Sequence, residues 1–410
     1  MRTQPVIAWV TIIGTALSIF LIMTVVMMRQ VYLIPFAPEI HRDRMLYGCF
    51  FHVTGLDDDN NSSAGLSYSR ARQLYDGLEG VEDVSYMCKD LASYDAKGTS
   101  GEAFSTFVRR TDDAFWRIYE YPLLAGRYYT PEEISAGRRV AVVCEATARR
   151  LFNGEEAIGA HFLLNHNDFE VIGVVANASQ LATMAFGEVF TPVIVDGSND
   201  WGKNFGEICA ALLVKEGVDF ESVRSQVKVR YAEADTELAA DRLKTVYHEA
   251  PFDQETASLS GLKGSNTTPD NKAEHILLAI IYAVLLLVPA INLSSMLHSR
   301  LRRRISDIGV RRAFGCTRRR IITDIIAENL IVTVIGGIIG LAAGVLFALF
   351  YDGIYTLDSG DSVRPALSMI LNFRIIAIAF GACFILNILS AAIPAWQAAR
   401  VNPVNAINAK

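Results

Sequence analysis

Four long stretches without a charged residue constrain this chain more than any other feature of its sequence. They span residues 3–28, 276–297, 329–351 and 375–399, so each holds between 22 and 26 residues. A helix rises about 1.5 Å per residue, which lets each stretch cross a hydrocarbon core of roughly 30 Å. We therefore predict four transmembrane helices. The composition of 51% hydrophobic and 20% charged residues lies between membrane and soluble classes, because the remaining segments have ordinary globular polarity.

The first stretch has two interpretations, a cleaved signal peptide or an uncleaved helix. Its apolar part, residues 6–28, is longer than a signal-peptide core of roughly 7 to 15 residues. No small-x-small cleavage pattern follows it. We therefore predict that residues 1–29 form an N-terminal transmembrane helix.

The distribution of positive charge predicts which loops lie in the cytoplasm. Residues 300–320 contain nine arginines against one acidic residue, Asp307. Short loops rich in Lys and Arg stay on the cytoplasmic side, whereas a large translocated domain tolerates an acidic balance. Residues 29–275 hold 24 Lys and Arg against 38 Asp and Glu. We therefore expect both chain ends in the cytoplasm and the large segment outside.

The outer segment, residues 30–272, has the pattern of an α/β (α+β) domain inserted between the first two helices. Thr130 is a candidate N-cap of a short helix that Gly137 ends. Apolar periodicity predicts two further helices over 66–78 and 219–231. Runs rich in β-branched residues, bounded by Gly, Asn and Asp, predict strands at 103–108, 140–144, 169–175, 189–195 and 208–214.

A polar linker separates the outer domain from the rest of the membrane part. Residues 258–272 are rich in Gly, Ser, Thr and Asn and nearly free of apolar side chains. We predict a permease part over 273–410, with three helices and a cytoplasmic loop at 300–328. The first span shows no repeat among the other three, which disfavours an inverted-repeat transporter.

The six cysteines show no CxxC or metal-type spacing, and four of them fall in the outer segment. Disulfides are permitted there, but the spacing does not imply one. We favour burial as small hydrophobic residues for most of them.

The arginine-rich loop carries the signals of two short helices joined by a hinge. Ser306 can cap a helix over 307–314, and Gly315 can end it in the left-handed conformation. Thr317 can then cap a second helix that continues into the third span. Such a loop beside a membrane is more often a determinant of topology than a docking site. A glycine at each end of the helix core favours docking of a soluble partner, because anchoring alone requires neither.

The predicted spans hold no Asp, Glu, Lys or Arg at mid-depth, which disfavours a proton- or sodium-driven transporter. In the third span, Gly336, Gly340 and Gly344 recur every four residues and allow another helix to approach closely. That helix could belong to the same subunit or to a second copy. The sequence leaves both alternatives open.

Motifs for catalysis, cofactors or metals are weak or missing. The sequence contains no G-x-x-x-x-G-K-[ST] phosphate loop, no H-E-x-x-H and no G-x-S-x-G. His161 and His166 have no nearby acid in a ligand register, and the acidic loop at 57–60 is predicted to be a solvated turn rather than a calcium site. We predict no catalytic, cofactor-binding or metal site, so a membrane-anchored enzyme is the least favoured class.

Several segments of the chain carry a family resemblance. Residues 306–345 read SDIGVRRAFGCTRRRIITDIIAENLIVTVIGGIIGLAAGV, and residues 394–408 read PAWQAARVNPVNAIN. Both resemble the FtsX/MacB-like ABC permease family, in which an acidic-Ile-Gly, Arg-Ala-x-Gly and arginine-rich run precedes a glycine-rich span. In the outer segment, PLLAGRYY, GRRVAVVCEATARRLF, AIGAHF and FEVIGVV resemble the periplasmic core domain of MacB-like proteins.

The resemblance implies a permease that is driven by a separate ATPase and transmits motion to its outer domain, without necessarily passing substrate through the membrane. Asp307 stands where the family commonly has Glu. Carried over residue by residue, the family's coupling helix corresponds to Asp307, Ile308, Gly309, Val310, Arg311, Arg312, Ala313, Phe314 and Gly315.

The resemblance also implies a multi-pass location in the bacterial inner membrane and a set of partners. These are an ABC ATPase subunit, a second copy or a similar permease, a membrane fusion protein and the lipid bilayer, but no nucleic acid. The expected cargo is a peptide, an antibiotic or a lipoprotein. The alternative function is a transmembrane regulator that activates an outer hydrolase without transport.

Overall fold

A computed structural model describes residues 5–30, 33–56, 61–195, 203–260, 275–285 and 313–356, with isolated residues between 272 and 396. The chain forms two compact units. One combines residues 1–30, 272–351 and 366–410, which hold the apolar helices. The other combines 31–271 and 352–365 and holds the described strands.

The helices of the described part differ greatly in length. Two single turns of 3₁₀ helix, Arg42–Arg44 and Ala239–Asp241, accompany them. The α-helices are α1 (Pro5–Gln30), α2 (Tyr68–Tyr75), α3 (Phe115–Ile118), α4 (Pro131–Ser135), α5 (Glu145–Phe152), α6 (Phe220–Leu238), α7 (Gln254–Ser260) and α8 (Arg318–Thr356).

The strands form two sheets. They are β1 (Met45–Gly48), β2 (Phe51–Gly55), β3 (Asn61–Leu66), β4 (Val81–Cys88), β5 (Ala92–Lys97), β6 (Ala103–Thr111), β7 (Leu123–Gly126), β8 (Val140–Cys144), β9 (His161–Leu164), β10 (Asn167–Val175), β11 (Val189–Pro192), β12 (Phe205–Gly206), β13 (Ile208–Val214), β14 (Leu243–Thr245) and β15 (Phe252–Asp253).

The eight-stranded sheet is built around β13. Its order is β14-β2-β3-β13-β1-β15, with β4 also paired to β13 and β12 to β3. All seven residues of β13 are buried, and the strand pairs antiparallel with both β1 and β4. Helices α2 and α6 lie against this sheet, and α6 turns Val223, Val227 and Tyr231 inward. The apolar face of α6 and the apolar residues of β13 are both thereby removed from water.

The seven-stranded sheet has the order β7-β10-β8-β11-β6-β5-β9. Strand β9 pairs with β10 as well as with β5, so the order closes on itself. Parallel pairs, β8 with β10 and β6 with β11, lie inside the sheet. Helix α5 covers its core, where Leu151 and Phe152 pack with Val143, Phe162 and Val171. This mixture of parallel and antiparallel strands confirms the predicted α/β character of the outer domain.

The predicted helix after Thr130 is confirmed together with its cap. The Glu133 amide donates to Thr130 Oγ1 at 3.4 Å, and the Thr130 amide donates to Glu133 Oε2 at 3.0 Å. This reciprocal pair is a capping box. Gly137, at φ +59°, follows the helix in the left-handed region. Arg127, which donates twice to Glu133, lowers the pKa of that carboxyl to about 2.

Both predicted helices are present with boundaries that differ from the prediction: α2 is shorter at both ends, and α6 is longer at its C-terminal end. Leu66 ends β3, and α2 begins only at Tyr68 because the Ser67 hydroxyl accepts from the Arg70 amide and caps the helix there. Helix α6 runs on from the predicted end at Tyr231 to Leu238, since Ala234 and Leu238 continue its buried face. In both cases the tertiary environment decides the boundary, which periodicity locates only approximately.

A disulfide joins Cys49 to Cys209, which overturns the expectation of simple burial for these two cysteines. The register of β1 with β13 places the two residues opposite each other across the sheet. Their 160-residue separation gave no signal in the sequence. Cys88 and Cys144 do follow the expectation, since both are buried and neither takes part in a disulfide.

Among the described residues, one helical segment is long and apolar enough to cross a membrane, Arg318–Phe347 within α8. Two shorter apolar helices accompany it, Ile12–Met27 and His275–Leu285. The predicted span at 375–399 lies almost entirely outside the described residues. The count of four transmembrane helices therefore stays a prediction.

Candidate coupling site

The N-terminus of α8 is fixed by Thr317. The Arg320 amide donates to Thr317 Oγ1 at 3.4 Å, and the Ile321 amide donates to the Thr317 carbonyl at 3.3 Å. A threonine side chain in this position satisfies an amide that has no partner inside the helix. The predicted cap is thus confirmed, and the second helix of the loop continues without a break into the apolar part of α8.

The described residues before Thr317 form a short helical knob that ends at Gly315; we define the knob by Ile308, Val310, Arg311, Ala313, Phe314 and Gly315. Gly315 has φ +92°, which lies in the left-handed region, and a Cβ there would meet nothing within 4 Å. The Cys316 amide donates to the Arg311 carbonyl at 3.0 Å. This bond across six residues is the main feature of a Schellman motif. The left-handed end predicted at Gly315 is therefore confirmed.

One side of the knob is attached to α8 through apolar contacts. Ile308 and Ile321 are buried against each other, with relative exposures of 9% and 4%. Cys316, Ile322 and Ile325 pack around them. Since these side chains come from both sides of the Gly315 turn, the knob and the first turns of α8 form one packed body.

The other side of the knob faces outward. Phe314 is 89% exposed, more than any other large hydrophobic side chain in the described part of the chain. Val310 is 42% exposed, and Arg311 is exposed beside it. Asp307, Gly309 and Arg312 lie outside the described residues. An exposed phenylalanine next to guanidinium groups on a fixed turn has the composition of an interaction hot spot.

The predicted helix-packing glycines of α8 lie against α1. A Cβ at Gly340 would stand 2.5 Å from the Ala16 carbonyl oxygen, and one at Gly336 would stand 2.9 Å from that of Ile12. Such distances show that the two backbones approach as closely as only glycine allows. Around the contact, Phe20 and Phe347 meet edge to face with ring centroids 5.7 Å apart.

A polar cleft of about 660 Å³ lies beside β9 and β10 and is lined by His161, Asp168 and Glu170, among others. His161 Nδ1 lies 2.8 Å from Asp168 Oδ2, because the hairpin of β9 and β10 brings them together. The sequence spacing did not indicate this pair, because only the hairpin brings the two side chains together. Both side chains are well exposed. Within the described residues no group of three metal-ligating side chains occurs.

Sequence reasoning missed a cluster of buried charges at the start of the outer domain. Glu39, Arg42 and Arg109 have relative exposures of 2%, 1% and 2%. Burial lowers the pKa of the Arg109 guanidinium and raises the pKa of the neighbouring Tyr47 hydroxyl. Arg42 and Arg109 bond to backbone atoms that are distant in sequence, so no local sequence pattern indicated this cluster.

Comparison with protein families agrees with this architecture. The model of the MacB-like periplasmic core domain matches residues 8–244, which is more than half of the chain. The model of the FtsX-like permease C-terminal domain matches residues 279–403. The chain therefore belongs to the FtsX/MacB-like family of ABC transporter permeases, which are membrane-embedded and carry an extracytoplasmic domain.

Individual relatives match most of the chain at low identity. The uncharacterized ABC transporter permease YknZ of Bacillus subtilis is 22% identical over 85% of this chain and 81% of YknZ. The macrolide export ATP-binding/permease protein MacB of Bdellovibrio bacteriovorus is 24% identical over 87% of this chain and 51% of that protein. The chain thus spans about half the length of that MacB.

A solved structure, the periplasmic region of MacB from Actinobacillus actinomycetemcomitans, aligns with 15% identity and a TM-score of 0.36. The alignment covers 54% of this chain and 94% of that region.

Proposed function

We propose that this chain is the permease subunit of an ABC exporter, in which the knob receives motion from a separate ATP-hydrolysing subunit. The observation that carries the proposal is the position of Phe314. A phenylalanine that is 89% exposed, on a turn fixed by Gly315 and packed onto α8 through Ile308, is a surface for a protein partner. Exposure of this degree in water is unfavourable unless something covers the ring.

The packing inside the membrane unit supports transmission from the knob. The knob and the base of α8 are one packed body, so a push on Phe314 moves α8 rather than bending a loop. Helix α8 in turn touches α1 through the backbone contacts at Gly336 and Gly340. Helix α1 then leads along the chain into the outer domain. Displacement of the knob therefore has a packed route to α1, which the chain connects to the outer domain.

The relatives support a separate ATPase and a role in export. YknZ, whose length this chain largely covers, is named as a permease, while the MacB relative is named as a macrolide export protein with ATP-binding and permease functions. We propose that an ABC ATPase docks on the knob and that the subunit works as a dimer. The Cys49–Cys209 disulfide suits an oxidising extracytoplasmic compartment, which supports the proposed orientation of the outer domain.

The proposed docking is tested with a variant that places a charge on the docking surface. In a purified complex of the chain with its ATP-hydrolysing subunit, Phe314→Asp should weaken association by at least about 10-fold, because a buried hot-spot ring is lost and a carboxylate takes its place. Val229→Asp is the matched control, since Val229 is also exposed but lies on α6 of the outer domain. Full association and full stimulation of ATP hydrolysis in Phe314→Asp would refute docking at the knob.

A further inference from the structure

The segment that follows α1 enters the outer domain through a fully buried ion pair. We call residues 33–44 the strap. Arg42 Nε lies 2.5 Å from Glu39 Oε2, and both side chains are almost completely buried, at 0% and 1% exposure. The Arg42 guanidinium also lies over the ring of Phe36, 4.3 Å from its centroid. The strap is thus folded around its own charged pair.

The same pair binds the backbone of a distant loop, residues 176–188, which connects β10 to β11. Glu39 Oε1 accepts from the amides of Met184 and Ala185 at 2.8 and 2.7 Å. Arg42 donates to the Leu181 carbonyl at 2.8 Å. Three directional bonds therefore join the strap to this loop. All three engage main-chain atoms, so the connection does not depend on the side chains that the loop carries.

The loop is held from its other side by the seven-stranded sheet. Arg109 of β6 donates to the carbonyls of Phe186 and Thr183 at 2.6 and 3.0 Å. The Tyr121 hydroxyl donates to the Ala185 carbonyl at 3.0 Å. The loop joins β10 and β11, which lie in the interior of the sheet with β8 between them. A displacement of the loop backbone therefore reaches the sheet directly.

The role of the Glu39–Arg42 pair follows from the energetics of buried charges. An apolar pair of the same volume would often stabilise a fold as well as a buried ion pair does, because both charges lose their hydration. The pair is tolerable here because its polar atoms are bonded to backbone partners on both sides. Charged, directional bonds fix the register between two segments, whereas apolar contacts do not.

From this geometry we propose that Glu39 and Arg42 form a clamp that transmits displacement of the strap to the seven-stranded sheet. The proposal rests on the proposed function, in that the strap continues from α1, which contacts α8 and through it the knob. The clamp makes strap and loop move as one body. Loss of the charge pair uncouples them and loosens both segments, while the sheets keep their fold.

A first experiment tests the clamp in the full-length chain alone, by hydrogen exchange in lipid nanodiscs. Glu39→Gln and Arg42→Lys keep side-chain size, and each should accelerate exchange in the strap and in residues 176–188 by the same factor, roughly 10- to 100-fold. Arg70→Lys is the matched control. Arg70 is equally buried and ion-paired, with Glu237, but it touches neither segment.

The exchange result has two clear forms. Equal acceleration of both segments, with the amides of β13 still protected, supports the clamp and excludes general unfolding. Acceleration of one segment alone, or of neither, overturns it. The same outcome for Arg70→Lys as for Glu39→Gln would also overturn it, because the effect would then be one of general stability.

A second experiment separates the clamp from the proposed function. In the complex with the ATP-hydrolysing subunit, ATP should change exchange in both the strap and the loop of the wild-type chain. In Glu39→Gln the change should persist in the strap and vanish from the loop. Undiminished transmission to the loop would refute the clamp. A wild-type chain whose strap does not respond to ATP would refute the proposed function instead, while the first experiment still decides whether the clamp exists.

Discussion

Asp112 is a carboxyl group buried where the two sheets of the outer domain meet. It follows β6 and accepts from the Ser85 hydroxyl at 2.7 Å and from the Tyr86 amide of β4 at 2.8 Å. The Phe115 amide of α3 donates to it at 3.1 Å. Burial outweighs these bonds and raises the pKa of Asp112 to about 7. The group therefore holds its proton in the folded state at pH values where an unfolded chain has released it.

This shift predicts a pH dependence of stability. Between pH 4 and pH 7 the folded state binds more protons at Asp112, so the free energy of unfolding falls as the pH rises. A shift of this size corresponds to at most about 4 kcal/mol over that range. Asp112→Asn should remove this contribution, as measured by denaturant unfolding of the purified chain at pH 4.5 and 7.5.

The half-buried His52 shifts the pH dependence of stability in the opposite direction and provides the control. Burial and the neighbouring His248 lower the pKa of His52 to about 4, so its contribution is lost as the pH falls below about 6.5. His52→Gln should therefore change the slope with the opposite sign. If Asp112→Asn leaves the slope of the wild-type chain unchanged, the assignment to Asp112 is wrong.

The disulfide between Cys49 and Cys209 gives a second prediction at the residue scale. A bridge that closes so long a loop restricts the unfolded chain, and its removal should lower stability by about 2–5 kcal/mol. The melting temperature of the wild-type chain should drop in the presence of a reductant. The double variant Cys49→Ala/Cys209→Ala should already melt at the lower temperature and should not respond to the reductant. A wild-type chain indifferent to reductant would show that the bond does not form.

At the scale of elements, the contact between α1 and α8 is sensitive to a single added methyl group. A Cβ at Gly340 would lie 2.5 Å from a backbone oxygen, which cannot move without moving α1. We predict that Gly340→Ile lowers stability by about 1–3 kcal/mol, because the helices must separate. The measurement is unfolding by added detergent in mixed micelles.

The control for this prediction lies on the same helix. Ala342 is on an exposed face of α8, so Ala342→Ile adds the same kind of bulk without crowding α1. Equal stability of the two variants would mean that the glycines do not mediate the helix contact.

The predictability of the elements follows from how completely they are buried. Strands β8 and β13 are buried at every residue, so each appears in the sequence as a continuous apolar run with the observed bounds. Strand β7 is exposed throughout and β5 alternates, and both went unpredicted. Short strands with polar faces carry a weak periodic signal, and long-range pairing rather than propensity makes them strands.

The candidate site shows the same division between local and long-range information. The C-terminal end of the knob and the start of α8 were predictable because Gly315 and Thr317 act through bonds to nearby backbone atoms, while the predicted cap at Ser306 lies outside the described residues. The exposure of Phe314 could not be predicted from the sequence, because it depends on which side of the turn packs against Ile321. The clamp was invisible to sequence reasoning, since Glu39 and Ala185 are 146 residues apart.

At the scale of the whole molecule, we propose a route by which a displacement of the knob reaches the outer domain. It begins at the exposed knob, continues through α8 to α1 by close backbone packing, and follows the chain into the strap. From there the buried charges of Glu39 and Arg42 engage the loop of the seven-stranded sheet. Within each unit the links are packed or hydrogen-bonded contacts, and α1 is joined to the strap by the chain itself.

The most direct measurement of the central claim is a photo-cross-link from the knob in living cells. A photoreactive phenylalanine analogue at position 314 should attach to a cytoplasmic protein that carries a G-x-x-x-x-G-K-[ST] phosphate-binding motif, identified by mass spectrometry. The same analogue at position 342, on the exposed face of α8, should attach to lipid. Adducts from position 314 that contain only lipid, or only extracytoplasmic proteins, would contradict the claim that an ATP-hydrolysing partner docks there.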